Sequence, residues 1–219
     1  NIIINGRNKT LANNLKNKLD TKYNLNKKNQ NLIQTAIFDI EKSFKSEIKK
    51  LKPFIVINTC GPFQLRNYDI PKECIKNKIN YIDLADGLEY VKNFNTLNNS
   101  AKKAGVILIT GASTVPGLSS AVIEHVKPKF KSIDSLSYGI APGQKSPRGI
   151  ATTKAILSYL GKPLVQTNSQ GKPRRGWQNI YLQKYPEIGK RWMGSCDIPD
   201  IILFPKIYKI KNLHFCACT

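Results

Sequence analysis

An α/β fold built on a parallel sheet is what this sequence predicts, from three observations. Short apolar runs of strand length alternate with amphipathic stretches of helical period along the first 130 residues. The run Phe54–Asn58 is almost continuously apolar, the pattern of a strand covered on both faces. Turn residues close each run, and ligands bind such sheets beyond the carboxyl ends of their strands.

Taken in order, Ile2–Asn5 is the first apolar run, and Leu11, Leu15 and Leu19 place one face of a helix after it. Thr21–Asn31 is polar and is expected to be a loop. Ala36–Ile40 reads as the second strand, with Asp39 at its end, and Phe44, Ile48 and Leu51 as the stripe of a helix closed by Pro53. Phe54–Asn58 is the third strand. Asn67 is a candidate cap for a helix carrying Ile70, Cys74 and Ile75. Tyr81–Ala85 and Val106–Thr110 are the fourth and fifth strands, with a helix through Leu97, Ala101 and Ala104 between them. Leu118, Val122 and Val126 mark the helix that follows. After Phe130 the pattern changes to the alternation of Leu136, Tyr138 and Ile140, which predicts a half-exposed strand in a separate α+β region. A helix is expected over Ala151–Leu160, stopped at Gly161. Neither helical nor strand period is evident in Gly176–Trp192, and the tail His214–Thr219 matches no element. The expected boundary is therefore 1–130 against 131–219.

Composition narrows the function classes. No apolar run approaches the roughly 20 residues of a membrane span, and no secretory signal is visible. The five cysteines have no metal-ligand spacing with the two histidines, and an odd count without a leader favours a reducing, cytoplasmic setting. The formal net charge of +21 suggests a polyanion, either nucleic acid or an anionic membrane surface. The lysines are spread along the chain beside asparagines, however, as an AT-rich genome would produce, and no nucleic-acid recognition motif is present. No specific nucleic-acid partner is expected.

The segments INTCGPFQLRNYDIPKECIKNKINYIDLADG (Ile57–Gly87) and AKKAGVILITGASTVPGLSSAVIEHV (Ala101–Val126) resemble the coenzyme domain of the saccharopine dehydrogenase family. GIATTKAILSYLGKP and GWQNIYLQKYPEIGKRWMGSCDIPD look like its bacterial members. The resemblance implies an incomplete doubly wound, Rossmann-type sheet followed by the start of a substrate domain. It implies a hydride-transferring oxidoreductase acting on a small or lipid-like substrate, and it allows a homodimer of the intact protein. The family pattern places one further strand and a G-x-G-x-x-G turn before Asn1 and continues past Pro205, so a fragment is expected. The rival expectation is a non-catalytic remnant or a basic binding module.

Site residues follow from that frame. Arg7 at a strand end suits the 2′-phosphate of NADP over NAD, with Asn8 and Lys9 adding a donor and a second cation. Asp39 either bonds the adenine amino group or caps the next helix. The turn Thr59, Cys60, Gly61 and Pro62 is expected along the pyrophosphate and nicotinamide ribose. Gly111, Ala112 and Ser113 are expected beside the nicotinamide. Asp86 is the candidate for substrate orientation or proton exchange, and Asp83 for a backbone-bonding role. Lys154, Arg191 and Trp192 fall in the substrate region, where a cation would suit a carboxylate.

Overall fold

The apolar runs of the first half form five parallel strands in two ladders. In the computed structural model, which describes residues 1–24, 32–143, 145–147, 149–167 and 171–218, β1 (Ile2–Gly6) pairs with β2 (Ile33–Ile37). β3 (Ile55–Asn58), β4 (Asn80–Asp83) and β5 (Leu108–Ile109) form the second ladder in that order. Helices connect successive strands, as parallel pairing requires. These are α1 (Lys9–Lys22), α2 (Ile40–Leu51), α3 (Asp69–Lys76), α4 (Leu88–Asn93) and α5 (Asn98–Ala104), with α6 (Ser119–Val126) after β5. The fold is α/β.

Local chemistry sets the helix starts. Asn8 Oδ1 accepts the Leu11 N–H at 3.0 Å and begins α1. Asp39 Oδ1 accepts the Glu41 N–H at 2.9 Å and begins α2. Asn67 works one residue further out than expected, taking the Asp69 N–H at 3.1 Å, while Tyr68 holds the cap position of α3. The second strand lies earlier than its apolar run suggested, because Ile33, buried, pairs with Ile2 and the ladder ends at Ile37. Thr21 and Lys22, expected in a loop, complete α1; residues 25–31 of that stretch lie outside the described residues.

One face of β3–β5 carries the main core. Phe44 and Ile48 of α2 pack there with Phe63, Cys74, Ile79, Tyr81, Tyr90 and Phe94. On the opposite face Ile57, Ile82 and Ile109 stand in one cross-strand row, with Ile57 63% and Ile109 46% exposed. Leu11 and Leu15 of α1 and Leu118 and Val122 of α6 are also exposed.

The second half builds a separate mixed sheet. Its members are β6 (Ser135–Ile140), β9 (Tyr181–Tyr185), β10 (Gly189–Ser195) and β11 (Asn212–Cys218), in the order β6-β11-β10-β9. β6 and β11 are parallel; the other pairs are antiparallel. α7 (Ile150–Ser158) and the pair β7 (Pro163–Thr167) and β8 (Pro173–Arg175) precede β9, and α8 (Asp200–Tyr208) leads into β11. Two expectations fail here. Gly176–Trp192 holds β9 and most of β10, whose outward residues are exposed on both faces, so no apolar alternation marks them. The unmatched tail is a central strand: β11 is buried on both faces, with Phe215 and Ala217 on one and Cys216 and Cys218 on the other. Thr219 lies outside the described residues.

The two halves are joined at Asp200, fully buried in the first turn of α8. Its Oδ2 accepts the Ser119 hydroxyl of α6 at 2.5 Å and the Tyr138 hydroxyl of β6. Burial raises the Asp200 carboxyl above its ordinary range, and the two hydroxyls act against that rise.

Candidate functional site

The carboxyl ends of β1, β2 and β3 converge on Cys60. The charges of Arg66, Arg7, Asp39 and Glu41 all act on its thiol, which burial nonetheless pushes above its usual range. Arg7 leaves β1 with an 81% exposed side chain, its Nη1 3.9 Å from Asp39 Oδ2. An ion pair that exposed holds the guanidinium only loosely. Asn8 and Asp39 each spend one side-chain oxygen on a helix cap, and Lys9 begins α1, exposed.

The turn after β3 is braced from within. Asn58 Oδ1 accepts the Cys60 N–H at 3.0 Å, and its Nδ2 donates to the buried Tyr81 hydroxyl at 3.0 Å. The Gly61 N–H donates to Thr59 O at 3.2 Å. A Cβ on Gly61 would meet only ordinary contacts, the nearest being Ala151 Cβ of α7 at 3.8 Å, so the chain's own packing does not demand glycine there. Between this turn and the start of α2 lies a pocket of about 350 Å³, lined by Ile40, Glu41, Cys60, Arg66 and Ile70 among others. Arg66 and Glu41 form an ion pair within it.

The turn after β5 is different. Gly111 has φ +77°, and a Cβ there would stand 2.8 Å from the Pro116 ring. Its glycine is required by the turn itself. Asp83, fully buried, gathers this turn: its Oδ1 accepts the Ala85 and Gly111 N–H groups, each at 3.0 Å, and the Thr110 hydroxyl at 2.8 Å. The Ala112 N–H donates to Asp83 O at 2.9 Å, and the Ser113 N–H to Gly111 O at 2.8 Å. Asp83 is thus the backbone-bonding carboxylate of this rim.

Asp86 lies where the parallel ladder meets the second half. Its Oδ1 accepts Gln64 Nε2 at 3.1 Å, and Gln64 is pressed against Gly87, whose Cβ would meet Gln64 N at 3.1 Å. Gln64 Oε1 is buried without a partner. Asp86 acts on the Tyr159 phenol at the end of α7 and on the buried Cys196 thiol, which burial pushes up to about 12. Asp197, the next residue, accepts the Val165 N–H at 2.6 Å. Tyr159 and Cys196 were not legible as site residues, because they meet Asp86 only through the packing of the two halves, and neither was Gln64, because it reaches Asp86 from a different turn of the same half. Lys154 is exposed on α7; Arg191 and Trp192 lie on β10, where Arg191 Nη1 donates to Lys190 O at 2.8 Å.

Burial raises the Asp86 carboxyl, with the Gln64 bond as the smaller opposing cause. The folded state therefore holds this proton more tightly than the unfolded chain. Ionisation costs stability, a cost absent below the unfolded value near ~3.9 and complete above the folded one. Asp86→Asn is expected to be more stable than the parent at pH 7, with the difference vanishing towards pH ~3. Urea melts at both pH values check this; an Asn variant less stable at pH 7 would show that the carboxylate is held by favourable contacts.

Among the described residues, no group of three or more His, Cys, Asp or Glu is placed to hold a metal, and no helix is long and apolar enough to cross a membrane. No family model matches the chain, and no curated protein matches it. A solved structure similar to it is an oxidoreductase from Bacillus cereus, 13% identical, with a TM-score of 0.36 over 93% of this chain and 65% of the other. The chain thus spans 65% of that protein's length, and a likeness of this size assigns neither family nor activity.

Proposed function

We propose that the chain is the coenzyme-binding part, residues 1–130, and the beginning of the substrate part, residues 131–219, of a saccharopine-dehydrogenase-like oxidoreductase that uses NADP. The observation that carries this reading is the single rim on which the ends of β1, β2 and β3 meet around Cys60, with Arg7 exposed beside them. Parallel α/β sheets bind dinucleotides at such a rim.

The residues present fit part of a dinucleotide. Arg7 and Lys9 would face the adenosine ribose and its 2′-phosphate, and the Thr59–Pro62 turn would lie along the middle of the molecule. Gly111, Ala112 and Ser113 would flank the nicotinamide. A G-x-G-x-x-G turn does not occur within the 219 residues. The bound cofactor would supply the hydride chemistry. Asp86, with Gln64 and Tyr159 around it, would orient a small or lipid-like substrate at the seam between the two halves. A carboxyl raised by burial suits a group that exchanges a proton with such a substrate.

The intact protein is expected to bind NADPH more tightly than NADH. Arg7→Asp should weaken NADPH binding by about 1.5–3 kcal/mol, the scale of a charge-assisted hydrogen bond, and leave NADH nearly unchanged. Titration calorimetry with both coenzymes measures this. Equal affinity of the parent protein for the two would remove Arg7 from the site.

A further inference from the structure

The hairpin formed by β9 and β10 carries a surface that neither the fold nor the proposed coenzyme site uses. Its strands are in register, with Trp192 opposite Leu182 and Lys190 opposite Lys184. Side chains two apart on a strand share a face, so these four residues stand together on one side of the sheet. All four are exposed, Trp192 to 57% and Leu182 to 44%. Nearer the sheet centre the same face is covered: the Trp177 ring lies over Gly194, where a Cβ would stand 2.7 Å from it. Beyond that cover no described residue buries Trp192 or Leu182, and Ile188 in the connecting turn adds an aliphatic group 46% exposed.

The charge of this stretch is one-sided. From Lys172 to Ser195 the chain carries Lys172, Arg174, Arg175, Lys184, Lys190 and Arg191 against the single acid Glu187. Like charges directly opposite each other on neighbouring strands destabilise a sheet, so Lys184 and Lys190 are arranged at a cost to the isolated protein. An anionic partner would turn that cost into attraction.

We propose that the β9–β10 hairpin docks on an anionic lipid bilayer surface, with Trp192, Leu182 and Ile188 entering the interfacial layer and Lys184 and Lys190 on the headgroups. Aromatic and aliphatic tips among cations are the chemistry of an interfacial anchor. A nucleic-acid backbone would satisfy the cations but would leave Leu182 and Ile188 in water. The proposal is independent of the coenzyme reading, and it makes the lysine bias meaningful at this hairpin while leaving it without meaning elsewhere.

The test is co-sedimentation of the 219-residue chain with vesicles of phosphatidylcholine alone and with about 30% phosphatidylserine, since juxtamembrane cations respond to anionic lipid. The chain is expected to bind the anionic vesicles and to shift its tryptophan emission to the blue. Lys184→Glu/Lys190→Glu, and the milder Lys184→Gln/Lys190→Gln, should weaken binding, the former by roughly tenfold or more. Trp192→Phe should keep most of the binding and lose the blue shift. Lys45→Glu/Lys49→Glu, an equal charge change on the exposed side of α2, should bind as the parent does. Equal weakening by the two Glu pairs would reduce the effect to diffuse charge and overturn the proposal. So would binding to neutral and anionic vesicles alike, absence of binding, or equally tight binding to a short DNA duplex with no emission shift on vesicles.

Discussion

NADPH affinity is expected to rise from millimolar or weaker to micromolar, about 4 kcal/mol, when a strand–turn–helix unit carrying a G-x-G-x-x-G turn is fused ahead of Asn1. Such a unit is about 30 residues long. The reasoning starts from the two ladders. β1 pairs with β2, and β3 with β4, but β1 and β3 share no ladder, although their carboxyl ends both approach Cys60. Each therefore presents an edge of backbone N–H and C=O groups to the other side. A strand seated between them would complete one sheet. The helix after it would cover the face on which Ile57 and Ile109 are exposed. Burying each such side chain contributes about 1.5–3 kcal/mol relative to exposure. The helix N-terminus would supply the N–H groups that hold a pyrophosphate, which Arg7 and the Thr59–Pro62 turn do not replace. Fluorescence titration of NADPH against the chain with and without the unit measures the gain. Micromolar affinity in the unextended chain would place the coenzyme elsewhere.

Deleting Asn212–Thr219 is expected to unfold the second half. β11 is the only strand that joins β6 to β10 among the described residues, so its loss leaves both with free inner edges. It also removes Phe215, fully buried, which packs edge-on against Tyr138 at 5.2 Å between ring centroids. The Phe215 N–H donates to Gln166 Oε1 at 2.7 Å, so β7 loses one of its attachments as well, keeping those to Cys196 and Asp197. The point substitution Phe215→Ala should cost about 3–5 kcal/mol through the lost burial and the cavity left. Denaturant melts of the deletion and of Phe215→Ala test this. A deletion that leaves the transition unchanged would mean that β6, β9 and β10 stand without their centre.

How legible each part was depends on where its stabilising contacts come from. β3 announced itself in Phe54–Asn58 because its own residues are apolar on both sides, but the expected cover on both faces fails, since Ile55 and Ile57 are exposed. Asp39 was readable as a cap, beside its reading as an adenine contact, because a cap bonds a backbone group two or three residues away, whereas Asn8, read only as a donor beside Arg7, turns out to cap α1. Asp83 was readable as a backbone-bonding group, but not which groups, since Gly111 and Thr110 come from another strand. β9 escaped because solvent on both its faces removes the period that marks a strand. β11 escaped for the opposite reason, burial on both faces in a short terminal run with two cysteines.

The sequence by itself determined the α/β class, the alternation of strands and helices to Phe130, the change of pattern after it, and the Asp39 cap. These follow from period and from local hydrogen bonding, which act over a few residues. The tertiary structure alone decided that β11 is central, that Asp200 binds Ser119 and Tyr138, and that Gln64, Tyr159 and Cys196 gather around Asp86. It also decided that Ile57 and Ile109, on one face of β3–β5, are left exposed. Those outcomes depend on which surfaces meet once the chain has folded. A side chain carries no mark of the distant residue that will cover it, because burial is non-directional and roughly proportional to area.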